Sequence, residues 1–94
     1  MKKNQWVRIH KAIANENRLE ILRLLWNGSE KNVTQLSQLL KISVMSTSRN
    51  LGILERQGII KSTGRENRVF YRIDPDIPLV VHRALKATLN NLRR

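Results

Sequence analysis

Residues Thr34–Ile60 read TQLSQLLKISVMSTSRNLGILERQGII, and the stretch divides into two short helices with a tight break between them. Leu36, Leu39 and Leu40 recur at helical spacing in the first part. Lys41-Ile42-Ser43 interrupts that pattern, and Ser43 caps a new helix start through its side-chain oxygen. Beyond it Thr47, Leu51 and Leu54 fall on one face, and Gly58 supplies a stop. Two helices joined by a turn of about three to four residues form a helix-turn-helix, whose second helix enters the DNA major groove.

At about 100° per residue, the side of the second helix opposite Thr47, Leu51 and Leu54 carries Met45, Arg49, Gly52 and Arg56. Ser46 lies near its edge, with Ser48 and Asn50 on the flanks. No acidic residue occurs among them before Glu55, at the margin of the apolar stripe. A solvated face normally mixes signs, so Ser, Arg and Asn without a carboxylate suit an anionic partner. Taken alone, the helix also reads as an ordinary surface helix with a basic bias.

The rest of the composition decides between these. Eighteen Lys and Arg against seven Asp and Glu give a formal charge of +11 over 94 residues. So basic a chain repels itself unless it meets a polyanion, of which nucleic acid is the commonest, ahead of an anionic membrane surface. A chain of this length makes one domain with a marginal core, and 40% hydrophobic residues argue against disorder. We therefore expect a single domain over 1–94. Cysteine is absent, which removes disulfides, thiolate catalysis and thiolate metal ligands. With only two His and no clustered carboxylates, nothing assembles an active site, and no enzyme, metal or cofactor is expected. No apolar run approaches the roughly eighteen residues of a membrane span. The opening MKKNQWVRIHK lacks the apolar core of a signal peptide, so no membrane partner and a cytoplasmic location are expected.

Outward from the central stretch, Gln5–Ala14 is expected to be a helix with Trp6, Ile9 and Ile13 on one side. Asn15-Glu16-Asn17 breaks it, with Asn15 or Asn17 as the next cap. Arg18–Trp26 is apolar over most of its girth, which implies central burial, and Gly28 ends it. A short strand is expected at Val33. After Gly58, Ile59–Thr63 reads as a strand, Gly64–Asn67 as a turn, and Arg68–Ile73 as the return strand with Val69, Tyr71 and Ile73 alternating. A hairpin after a recognition helix is the wing of a winged helix, here carrying Arg65, Arg68 and Arg72. Asp76 is expected to cap a last helix, about Ile77–Leu92, with Val81, Leu85, Leu89 and Leu92 recurring. The fold class is mostly α with a small β-hairpin, in the order α-α-α-α-β-β-α.

Three segments in this order resemble the ArsR/SmtB-type winged-helix repressors. HKAIANENRLEILRLLWNG is similar to that family's L-A-x-x-x-R-L-x-I-L-x-L-L opening. ISVMSTSRNLGILERQGII is similar to its L-S-x-S-x-V-S-x-H-L-x-x-L-x-x-A-G-L-V, and NRVFYRI to its wing strand R-x-V-Y-Y-x-L. The likeness covers roughly residues 10 to 73. It implies a homodimeric repressor that binds a palindromic double-stranded DNA operator. The expected DNA contacts are Ser43, Val44, Met45, Ser46, Ser48, Arg49 and Asn50, with Arg65, Asn67 and Arg68 on the wing. The first and last helices would form the dimer interface through Trp6, Ile9, Ile13, Val81, Leu85, Leu89 and Leu92.

The chain departs from the family pattern in several places. A Gln common at the helix start is Val44, the usual His is Asn50, and a frequent Lys is Gly52. Where relatives hold a metal in E-L-C-V-C-D-L, the matching residues are Glu30–Leu36, with Asn32 and Thr34 at the thiolate positions. Neither is a soft-metal ligand. His82 and His10 are read as packed or solvated side chains rather than ligands. No effector can be named from the sequence. Two alternatives remain beside the regulator: sequence-neutral chromatin or RNA binding, and a winged-helix protein-interaction module. The second fits less well, because such modules carry acidic or apolar recognition helices and less charge.

Overall fold

A computed structural model describes residues 1–92; positions 93 and 94 of the expected single domain lie outside the described residues. The elements are α1 (Lys3–Ile13), α2 (Glu16–Leu25), β1 (Lys31–Asn32), α3 (Val33–Leu40), α4 (Val44–Arg56), β2 (Ile60–Arg65), β3 (Arg68–Ile73) and α5 (Leu79–Asn91). The winged-helix order is present, and the short strand expected at Val33 forms just before it, over Lys31–Asn32. The two residues of β1 pair antiparallel with β3, Lys31 opposite Tyr71 and Asn32 opposite Phe70, giving a sheet of order β1-β3-β2.

The short strand falls just before Val33 because Asn32 caps α3. Its Oδ1 accepts from Gln35 N–H at 2.8 Å, and Gln35 Oε1 accepts from Asn32 N–H at 2.8 Å. This reciprocal pair satisfies two donors that a helix start otherwise leaves open. Asn15 caps α2 by accepting from Arg18 N–H at 3.1 Å, and Ser43 caps α4 by accepting from Ser46 N–H at 3.0 Å. Between α3 and α4, Lys41 turns left-handed at φ 59°, so the chain reverses without a glycine. Gly58 takes φ 71° after α4, and Ile59 N–H returns to Leu54 O at 3.1 Å, the closing bond of a Schellman turn.

Several details differ from expectation. The wing turn is two residues long: Arg65 pairs with Arg68, and Glu66 and Asn67 both have positive φ, at 54° and 62°. This is the hairpin geometry whose twist matches the strands, and Asn tolerates it well. Gly64 belongs to β2, opposite Val69. Asp76 does not cap α5; its own N–H is bound by Asp74 Oδ1 at 2.8 Å, and the helix starts after Pro78 without a side-chain cap. A proline at that position needs no donor, and its φ already suits the entry. Leu39 is 54% exposed, so the buried face of α3 is Leu36 and Ser37 with Leu40 alongside.

One core unites the elements. Ile21, Leu22 and Leu25 of α2 are fully buried, as their all-round apolar pattern requires, and Leu51 and Leu54 of α4 join them. Ile59 and Ile60 at the wing's base, and Val81, Leu85 and Leu89 of α5, complete it. The apolar stripe of α4 is therefore anchored against α2, and the helix's opposite side is left to solvent.

Candidate nucleic-acid interface

The outward side of α4 forms as its periodicity requires. Thr47, Leu51 and Leu54 are fully buried, while Met45, Arg49 and Arg56 are exposed along the opposite line. Ser43, Val44 and Ser48 are exposed beside them, and Ser46 is half-buried. At Gly52 a Cβ would lie 3.3 Å from Arg56 Nη1, so the missing side chain leaves room for that guanidinium to lie along the helix.

Asn50 is a correction. It is only 9% exposed and turns inward. Its Oδ1 accepts from Arg18 Nη1 at 2.9 Å, and its Nδ2 donates to Ser46 O at 3.1 Å. Arg18 Nε in turn donates to Ala12 O at the end of α1. At 240° around the wheel from Val44, Asn50 lies between Thr47 and the flank, and a cation waiting on α2 draws it into the interior. Its place is behind the reading face, joining α1, α2 and α4.

The wing arginines differ from one another. Arg68 and Asn67 are exposed at the tip, and Arg68 makes no ion pair among the described residues. Arg65 is exposed but held: Glu30 lies 3.2 Å away, and the guanidinium sits 4.1 Å above the Phe70 ring. Arg72 reaches Thr63 Oγ1 at 2.8 Å and Glu30 at 3.8 Å. Glu30 therefore neutralises part of the wing's charge.

Between α3, α4 and the wing runs a cleft of about 560 Å³, lined in part by Thr34, Gln35, Ser48, Asn67, Arg68 and Tyr71, with no carboxylate in its wall. Burial, with the Glu55 carboxylate adding to it, raises the Tyr71 hydroxyl above its ordinary value. Hydroxyls, amides and a guanidinium around the first turn of a helix suit a phosphate. Thr34 and Gln35 line this cleft, and neither was among the residues expected at the site. Their signal was the N-V-T-Q capping pattern, which places a helix start here rather than a metal loop.

Asn32 is spent as a cap, and Thr34 faces solvent. His82 stacks on Trp26 with ring centroids 4.9 Å apart, and His10 packs edge-on against Trp6 at 4.6 Å while meeting Trp6 O at 2.9 Å. Among the described residues no three His, Cys, Asp or Glu cluster as a metal site.

The expected dimer residues are largely used within the chain. Ile9, Val81, Leu85 and Leu89 are buried in its own core, and Trp6 and Ile13 pack half-buried against it. Of that set only Leu92 is exposed. The i, i+4 stripe of α5 serves the domain because α2 alone cannot close the core of so short a chain. What α1 and α5 leave in water is Val7, Leu79, Val80 and Leu92.

Comparison with known proteins settles the family. The model of the bacterial regulatory protein, arsR family, matches residues 15–62, from the cap of α2 through the first half of β2. The chain belongs to the arsR family. It is 28% identical over 82 residues to the arsenic resistance transcriptional regulator ArsR1 of Pseudomonas putida, covering 87% of this chain and 64% of that protein. It is 38% identical over 63 residues to the transcriptional activator HlyU of Vibrio cholerae, covering 67% of this chain and 57% of that protein. The chain thus spans less than two thirds of the length of either curated relative. The structure of reduced HlyU superposes with a TM-score of 0.83 at 28% identity, over 97% of this chain and 92% of that one. The homodimeric winged helix-turn-helix DNA-binding domain of a possible ArsR-family regulator from Mycobacterium bovis gives 0.79 at 29% identity, over 95% and 79%. In this arsR-family member no helix among the described residues is long and apolar enough to cross a membrane.

Proposed function

We propose that this chain is a sequence-specific double-stranded DNA-binding transcriptional regulator that works as a homodimer on a palindromic operator. The observation that carries the reading is the water-facing line of α4, with Met45, Arg49 and Arg56 exposed and no carboxylate among them. Arg68 and Asn67 flank it on the wing, and the acid-free cleft beside Ser48 would seat a backbone phosphate. Family membership and the homodimeric DNA-binding domain of the Mycobacterium bovis relative support the same reading. Repression follows where the operator overlaps a promoter, since a bound dimer then excludes polymerase.

The dimer is proposed to form through the outer faces of α1 and α5, around Val7, Leu79, Val80 and Leu92. It would set two recognition helices about 34–36 Å apart, one DNA turn. Selection of bound duplexes from a random pool tests the whole reading. Enrichment of an inverted repeat with half-sites about one turn apart is expected. Equal affinity for selected and random duplex would instead favour sequence-neutral binding and overturn it.

A further inference from the structure

Met45 is the most exposed large apolar side chain among the described residues, at 73%, and Val44 beside it is 50% exposed. They occupy the first turn of α4, the part of a recognition helix that meets base edges. An apolar residue so placed gains nothing from the domain's core, and α4 already has a buried stripe of its own. Its neighbours Ser43, Ser48 and Arg49 are polar and exposed. A long, unbranched, water-facing thioether among hydroxyls and a guanidinium is therefore matched to an apolar feature in an otherwise polar groove. The major groove offers one such feature, the 5-methyl group of thymine.

We propose that Met45 is a specificity-determining residue that reads a thymine methyl, with Val44 flanking the same contact. The inference rests on the DNA-binding reading above and names what one position of that site recognises. Met45 and Arg49 stand four residues apart, about 6 Å along the helix axis. Base pairs rise about 3.4 Å each. The thymine thus falls one or two base pairs from the guanine that Arg49 meets. Met suits this task because its three rotatable bonds let the tip follow a methyl group across a groove.

The test uses the full chain and a duplex selected from a random pool, in which each thymine of the half-site is replaced in turn by deoxyuridine. Uracil pairs as thymine does and lacks only the methyl. One position should lose roughly fourfold in affinity per half-site, the value of one methyl group taken from water. Met45→Ala should abolish that uracil effect while keeping the wild-type melting temperature, because the side chain supports no core contact. Met45→Leu, which retains an apolar tip, should keep it. If a selected duplex is bound equally with thymine and with uracil throughout, or the uracil effect persists in Met45→Ala, the inference is overturned while specific binding stands. If no duplex is enriched over random sequence, the DNA-reading function falls and this inference with it.

Discussion

Arg49 stands on the outward line of α4 four residues from Met45, whereas Arg68 stands at the wing tip beside the cleft, and neither makes an ion pair among the described residues. A guanidinium at the first position can pair with guanine O6 and N7, a contact that discriminates by roughly 1–3 kcal/mol. Arg49→Ala should weaken binding to the selected duplex by about tenfold or more and leave random-duplex affinity much less changed. Arg68→Ala should weaken both evenly and reduce the salt slope by about one per subunit. Titrating each variant on both duplexes across a salt series checks this; equal losses on the two duplexes would remove the base-reading role of Arg49. Arg65 is the contrasting case, since Glu30 and Phe70 already engage it. That ion pair is half-exposed and worth at most about 1 kcal/mol to the fold. Glu30→Gln should therefore scarcely move the melting temperature, yet raise random-duplex affinity and steepen its salt dependence as Arg65 and Arg72 are released. No change in either would mean that Glu30 does not shield the wing. The outward line of α4 was legible in the sequence because 100° spacing is a local property. The Glu30–Arg65 pair was not, because strand pairing brings together residues 35 positions apart.

Helix α4 is useful only if its outward face is held at one angle. Its caps and stripe were readable from Ser43, Thr47, Leu51, Leu54 and Gly58, each a short-range signal. What fixes its rotation was not readable: the Arg18–Asn50 bond spans 32 positions, and a polar residue on a helix flank gives no sign of which way it will turn. The capping box at Asn32 has a short-range signal, N-V-T-Q, but Asn32 and Thr34 also stand where the family pattern has metal thiolates, so the same letters carry two readings. Arg18 ties the end of α1 and the start of α2 to the back of α4, so losing it should loosen the recognition helix as well as the fold. A hydrogen bond to a charged group contributes about 1.5–3 kcal/mol. Arg18→Ala and Asn50→Ala should each destabilise by about 1–3 kcal/mol, and the double variant by distinctly less than their sum. Chemical denaturation of the four proteins supplies the cycle. Additive losses would show that the two side chains act independently.

At the scale of the whole molecule, the decisive constraint is how little core 94 residues can make. The periodic stripes of α1 and α5 were legible as apolar, but periodicity cannot say whether a stripe faces the chain's own core or a second copy. Here Ile9, Val81, Leu85 and Leu89 went to the core. The proposed dimer would then use Val7, Leu79, Val80 and Leu92, which those helices leave in water. In a two-fold interface each substitution acts twice, so a single buried charge is felt by both protomers. Val80 is 53% exposed in the isolated chain, and a glutamate there should fold normally. Val80→Glu should therefore leave the melting curve of dilute protein little changed, raise the dimer dissociation constant by about tenfold or more, and cost affinity for a two-half-site duplex. Affinity for an isolated half-site should stay the same. Sedimentation at several concentrations, paired with binding to full and half operators, separates these effects. A Val80→Glu protein that dimerises like the wild type would place the interface elsewhere on the molecule.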